Sequence, residues 1–263
     1  MNMHSKTKNQ KKSPFYFGAV ELKKAQHLKI MLIPLGFLAV LFLWAAFSYT
    51  NASDYDKAQG YANLFYELPL INCVILPIML AVLSSRLCDM EIKGQTLKLL
   101  YTLQEKGSFY DWKFLHEAFY LLLFGFGEGL IFPLCGKLFG FTEPLSFGLL
   151  CRHVGITLLV GAVVLTLQHL LSLCSQNQIL PLIVGLIGSF LGLFSMFFPP
   201  AFTRLVLWGY FGAFPAYGMN YDAAARLCFF YEVPFPTGLF LLFTLFGILF
   251  YLICRHIFLK KEV

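Results

Sequence analysis

The chain has 263 residues, of which 58% are hydrophobic and only 13% charged, and its formal net charge is +6. Soluble domains carry about 25% charged residues, so this chain lacks the polar surface to meet water on every side and reads as an integral membrane protein. No polar stretch is long enough to build a soluble catalytic or DNA-binding domain, and the positive charge clusters beside apolar segments, where it reports topology instead of nucleic-acid binding.

Residues 1–27 form a Lys-rich tail. Within Ser13–Lys29 the apolar residues Phe17, Val20 and Leu28 alternate with a basic face, which predicts a short helix lying on the inner leaflet. The alternative is a basic tail that only sets topology. No small-residue cleavage pattern follows the basic start, so a cleavable signal peptide is not expected.

A membrane-spanning helix needs ~20 mostly apolar residues. Six segments of the 28–263 region qualify, at about 28–49, 64–87, 114–134, 151–173, 179–198 and 235–257. The fourth and fifth lie in one run without Asp, Glu, Lys or Arg, from His153 to Thr203, which the polar patch Ser172–Gln178 divides. Between the last two spans, 198–236 is too apolar for a free loop and too broken by Pro and Gly for a full span. A re-entrant excursion into the outer leaflet accounts for both properties, provided protein covers its backbone. An amphipathic helix on the outer surface is the alternative. The expected fold is therefore all-α: a polytopic bundle of six transmembrane helices, with an N-terminal interfacial helix, a helix after span two and a re-entrant excursion before span six.

Lys and Arg set the orientation. With both termini inside, the cytoplasmic side holds Lys6, Lys8, Lys11, Lys12, Lys23, Lys24, Lys29, Arg86, Lys93, Lys98, Lys106, Lys113, Arg255, Lys260 and Lys261. These are fifteen of the twenty, and Lys57, Lys137, Arg152, Arg204 and Arg226 remain outside. The seven cysteines show no metal-ligand spacing and read as small apolar residues of membrane helices. A disulfide between Cys135 and Cys151, which flank one external loop, is the minor alternative.

Motifs for soluble-type catalysis are absent. There is no G-x-x-x-x-G-K-[ST] loop, no H-E-x-x-H and no G-x-S-x-G. No metal site is expected. His153 and His169 sit far apart on the fourth span without an acidic neighbour in sequence, and a lone membrane His more often bonds between helices than catalyses. Glu128, within Gly125-Phe-Gly-Glu-Gly129, is the sharpest single residue. A charged carboxylate inside a span costs ~2.5–3.5 kcal/mol, so Glu128 is expected to face the bundle interior, a partner subunit or the outer interface. Glu128 and His169 are thus candidates for a substrate path or for interhelix polar contacts.

Between spans two and three runs a charged insert, Cys88 to Lys113. If helical, it places Ile92, Thr96, Leu99 and Leu103 on one face, with Lys93, Lys98 and Glu105 off it. Gly107-Ser108 is expected to end that helix. Such an apolar ridge in the cytoplasm is a form of groove recognition; an ordinary surface helix anchoring two spans is the alternative.

The pattern Glu91-x-x-Gly94-x-Thr96-x-Lys98-x-Leu100, ending in Lys113 where the next span begins, resembles the segment after the second span of export-type ABC permeases. Those proteins have six spans, both ends inside, an N-terminal interfacial helix and a re-entrant excursion before the last span, so the resemblance covers essentially the whole chain. Thr96-x-Lys98-x-Leu100 and the small size are most similar to permease subunits of lantibiotic-protection ABC transporters. The Pro that such permeases carry near Gln104-Glu105-Lys106 is missing, which leaves the end of the helix open.

The resemblance implies a permease subunit without its own ATP site, in the bacterial cytoplasmic (inner) membrane. It implies separate ATP-binding subunits that use ATP and Mg, a second permease subunit, identical or related, and a lantibiotic or similar antimicrobial peptide as cargo. It assigns Glu91, Gly94, Thr96, Lys98, Leu99, Leu100 and Leu103 to coupling with the ATPase, and no cofactor to the chain itself. Rival readings are an exporter of a lipid, drug or ion, a membrane enzyme, and a non-transporting sensor or scaffold subunit.

Overall fold

The computed structural model describes residues 29–224 and 226–261. The predicted inner-leaflet helix of the N-terminal tail therefore lies outside the described residues, apart from Lys29. In chain order the helices are α1 (Leu32–Tyr49), α2 (Asp54–Ala58), α3 (Gly60–Lys93), α4 (Leu97–Leu103), α5 (Lys106–Phe139), α6 (Phe147–Cys174), α7 (Ile179–Ser195), α8 (Pro200–Thr203), α9 (Tyr210–Ala213) and α10 (Thr237–Lys260). Helices α1, α3, α5, α6 and α10 are long and apolar enough to cross a membrane, and α7 is a shorter apolar helix. Lipid offers no partner to backbone amides, so each of these segments must satisfy them internally, as a helix does.

Helices α3 and α5 have 34 residues each, about 50 Å of helix against ~30 Å of bilayer hydrocarbon. They continue past their predicted spans toward each other, to Lys93 and from Lys106, and these extensions carry the insert. Pro69, Pro77 and Pro133 sit inside them without ending them, which packed neighbouring helices permit.

Helix α3 is the centre of the bundle. It packs on α1, α5, α6 and α7, and 61% of its most apolar stretch is buried, against 11% for α10. Its inward residues Leu64, Leu68, Leu76 and Leu80 join Phe124 and Phe132 of α5 and Val160 and Val164 of α6 in one core. The outward residues of α7 and α10, such as Phe190, Leu241 and Leu245, stay exposed, as a lipid-facing surface requires.

The 198–236 segment departs from the all-α expectation. Helix α8, a 3₁₀ turn at Leu207–Gly209 and α9 pack against the bundle, with Phe211 and Phe214 buried. A two-stranded antiparallel hairpin follows, β1 (Tyr217–Asp222) on β2 (Leu227–Glu232), in register from Tyr217↔Glu232 to Asp222↔Leu227. In β1, Tyr217, Met219 and Tyr221 alternate with Gly218, Asn220 and Asp222, and β2 carries the aromatic run Phe229–Tyr231; such sequences suit strands as well as a membrane excursion. Arg152 of α6 fixes the hairpin's base, donating to Pro215 O at 2.5 Å and Val233 O at 3.3 Å. The α2 region braces its flank: Tyr55 donates to Cys228 O at 3.0 Å, and Gln59 Oε1 accepts from Phe230 N at 3.2 Å.

All seven cysteines are free; Cys135 is buried in α5 and Cys151 exposed on α6, so the bridge between them does not form.

Candidate coupling site

Helix α3 ends in a two-bond cap. Gln95 takes a left-handed conformation, φ 49°. Gln95 N donates to Ile92 O and Thr96 N to Glu91 O, each at 3.1 Å, which satisfies carbonyls that a helix end otherwise leaves open. Gly94 lies inside this turn, where an added Cβ would meet Met90 O at 2.8 Å. The Gly94 and Thr96 positions of the motif are thus explained by the turn that redirects the chain from α3 into α4.

The same turn aims the Glu91 carboxylate inward. Thr96 Oγ1 donates to Glu91 Oε2 at 2.5 Å, and Lys113 Nζ lies 3.2 Å from Glu91 Oε1. The Glu91 and Lys113 side chains are only 4% and 1% exposed. Removing one partner from a buried ion pair leaves an uncompensated charge and costs about 3–5 kcal/mol. The pair therefore bolts the end of α3 to the first turns of α5, across the base of the insert.

Helix α4 hangs from this bolt with two faces. Leu100 and Tyr101 pack inward on Cys88, Phe109, Tyr110, Leu173 and Phe258, a cluster drawn from α3, α5, α6 and α10. Burial pushes the Tyr101 phenol up to about 12, and Lys106 Nζ sits 5.2 Å above its ring. On the other face Leu99 and Leu103 are 60% and 66% exposed. The Lys98 side chain lies outside the described residues.

The insert is not one helix. Ile92 belongs to α3 and Thr96 caps the turn, so the apolar ridge consists of Leu99 and Leu103 without Ile92 or Thr96. The break also falls earlier than Gly107-Ser108. It occurs at Gln104, whose backbone is extended, and α5 then runs unbroken from Lys106. Gly107 lets Arg255 approach α5: an added Cβ there would lie 2.4 Å from Arg255 Nη2 and push that guanidinium aside. Arg255 binds Asp111 through Nε at 2.7 Å and Nη2 at 2.9 Å, and Tyr251 donates to the same carboxylate at 2.8 Å. These contacts tie α10 to the start of α5.

Two carboxylate–histidine pairs join α5 to α6. Glu128 Oε1 lies 2.9 Å from His153 Nε2 and accepts from Asn72 Nδ2 at 2.6 Å. Glu128 is wholly buried, which selects the bundle interior among the expected environments. Glu117 Oε1 lies 3.0 Å from His169 Nδ1, and the Cys88 thiol donates to the same oxygen at 3.6 Å. Both histidines thus have the acidic partners that neighbouring sequence does not show, and Glu128 and His169 belong to different clusters. Glu117 and Asn72 are the residues that sequence reasoning passed over, along with the partner of His153. The antiparallel pairing of α5 with α6 reveals the carboxylate–histidine pairs, and the packing of α3 on α5 reveals Asn72. Cys88, Glu117 and His169 together offer three side chains of metal-ligating type.

A family model described as ABC-2 family transporter protein matches residues 19–192. The matched stretch holds the whole of the Glu91–Lys113 site; the hairpin and α10 lie beyond it. No curated protein matches the chain.

Proposed function

This chain belongs to the ABC-2 transporter family and is a membrane permease of an ABC transporter; we propose that it is an exporter subunit driven through α4 by separate ATP-binding subunits. The observation that carries the reading is the pairing of an exposed Leu99–Leu103 ridge with a buried Glu91–Lys113 bolt directly behind it. The ridge supplies an apolar contact for a partner groove. The bolt makes that contact mechanically useful, because a push on α4 is not absorbed by a loose loop. It reaches α3 through the capped turn and α5 through Lys113.

The positive-inside pattern puts this end of the bundle in the cytoplasm, where ATP and Mg are bound by the partner. Closure of the ATP-binding pair moves α4. Helices α3 and α5 then move relative to α6 and α10, and the bundle, paired with a second permease subunit, opens outward. The membrane is the bacterial cytoplasmic membrane.

The proposed cargo is a lantibiotic or a related cationic amphipathic peptide, expelled for self-protection. The similarity around Thr96-x-Lys98-x-Leu100 supports it. The test compares lantibiotic susceptibility of cells carrying the chain with its ATP-binding partner against cells carrying the Leu99→Asp/Leu103→Asp variant. Protection by the wild type alone is expected; equal susceptibility of the two removes the peptide cargo. Co-purification of an ATP-binding subunit with the wild-type chain distinguishes an exporter of another cargo from a membrane enzyme.

A further inference from the structure

Cys88 on α3, Glu117 on α5 and His169 on α6 are each wholly buried. One donor atom from each lies within 4.8 Å of the other two. We propose that these three side chains bind a thiophilic divalent ion of the Zn²⁺ type, which clamps three helices together beside the coupling site.

The chemistry of the donor set comes first. A thiolate, an imidazole and a carboxylate are the three ligand types that tetrahedral zinc takes, at about 2.3, 2.0–2.1 and 2.0–2.2 Å. Donors around such an ion stand ~3.3–3.7 Å apart by those bond lengths. The Cys88–Glu117 distance of 3.6 Å lies within that span and the His169–Glu117 distance of 3.0 Å just below it, so small side-chain shifts bring the donors into place.

An unsatisfied atom points the same way. Glu117 Oε2 is buried and finds no hydrogen-bond partner among the described residues. Buried polar atoms are nearly always paired, and each exception calls for an explanation such as an ion. An ion held by the Glu117 carboxylate supplies the missing partner. It also balances charge, because a thiolate and a carboxylate neutralise a divalent cation in a region where a lone charge is costly. On binding, the Cys88 thiol loses its proton to solvent and His169 coordinates as the neutral ring.

Position gives the ion a task. Cys88 stands three residues before Glu91, and Glu117 four residues after Lys113, so the cluster lies on the same faces of α3 and α5 one turn further into the bundle. Edge contact from Tyr110, with its ring centroid 4.5 Å from that of His169, holds the imidazole in place. The clamp adds α6 to the two helices that the Glu91–Lys113 pair already joins.

The test uses the full chain purified in detergent, without any ATP-binding subunit, so its result is independent of the coupling reading. After exposure to Zn²⁺ and a chelator wash, the wild type should retain about one ion per chain. Losing an outer-shell partner alone weakens metal sites 10–100-fold, so Cys88→Ser and His169→Gln should each weaken retention at least tenfold. Co²⁺ offered to the wild type should give the thiolate-to-cobalt charge-transfer band. That band should vanish in Cys88→Ser and persist in Cys228→Ser, whose cysteine lies on the hairpin. A wild type that shows no charge-transfer band and retains no Zn²⁺ overturns the proposal, whether or not the variants fold. Equal retention by wild type, Cys88→Ser and His169→Gln overturns it as well.

Discussion

The Lys113 ammonium lies 3.2 Å from the Glu91 carboxylate, and both side chains are almost completely withdrawn from solvent. The two residues stand on the facing ends of the two longest helices, with the whole of α4 looped out between them. Sequence distance between them is large, yet their geometry ties the two ends of the insert together.

That pair is expected to be strongly non-additive. Glu91→Ala and Lys113→Ala should each destabilise the purified chain by about 3–5 kcal/mol, because each takes the opposite charge away from a buried one. The double variant should cost less than the sum by 0.5–3 kcal/mol or so, as contacting residues do. Unfolding in mixed micelles, followed by intrinsic fluorescence, measures all three; additive losses would show that the pair is not coupled in the folded chain.

The exposed ridge should behave in the opposite way. Leu99→Asp and Leu103→Asp touch no buried contact, so each should change stability by no more than about 0.5 kcal/mol. Both should nonetheless reduce recovery of the ATP-binding subunit in co-purification. A large drop in stability with unchanged co-purification would place the ridge in the core instead of at an interface.

At mid-bundle, the Glu128 carboxylate depends on Asn72 and His153. Asn72→Leu and His153→Leu should each cost about 1–3 kcal/mol by stripping a buried acceptor of a donor. Glu128→Gln, which keeps the shape and can still bond, should cost less than either. The same micelle unfolding assay ranks the three, and a Glu128→Gln cost above both others would contradict the arrangement.

The Asp111–Arg255 pair sets a useful contrast. Its geometry is good, at 2.7 and 2.9 Å, but the side chains are 43% and 33% exposed. Water screens such a pair, so Arg255→Met should cost no more than about 1 kcal/mol. A loss as large as that of Glu91→Ala would mean that the α10 end is sealed from solvent by a partner.

Much of this was legible in the sequence, for physical reasons. Long apolar runs in lipid have only helix to adopt, so α1, α3, α5, α6, α7 and α10 overlap the predicted segments, with α3 and α5 running past theirs. Motif positions Glu91, Gly94 and Thr96 also fall together, because a helix-ending turn acts over a handful of neighbours. What failed was the assumption that apolar spacing continues through a glycine. The turn at Gly94-Gln95 resets the helix, which removes Ile92 and Thr96 from the ridge, while Gly107 sits inside α5 and makes room for Arg255. The hairpin was hidden because its aromatic-rich segments suit strands and membrane excursions alike. The histidine partners were invisible because Glu117 with His169, and Glu128 with His153, meet only once α5 and α6 pack antiparallel.

Site-specific cross-linking tests the coupling assignment most directly. In a cysteine-free background, a single Leu103→Cys chain is co-expressed with its ATP-binding subunit and treated with a thiol-reactive photo-cross-linker. A single Met219→Cys chain, labelled on the hairpin at the far end of α3, about 50 Å of helix away, serves as the comparison. A cross-link to the ATP-binding subunit is expected from position 103 and none from position 219. No cross-link from position 103 in an assembled complex, or an equal one from 219, would contradict the assignment.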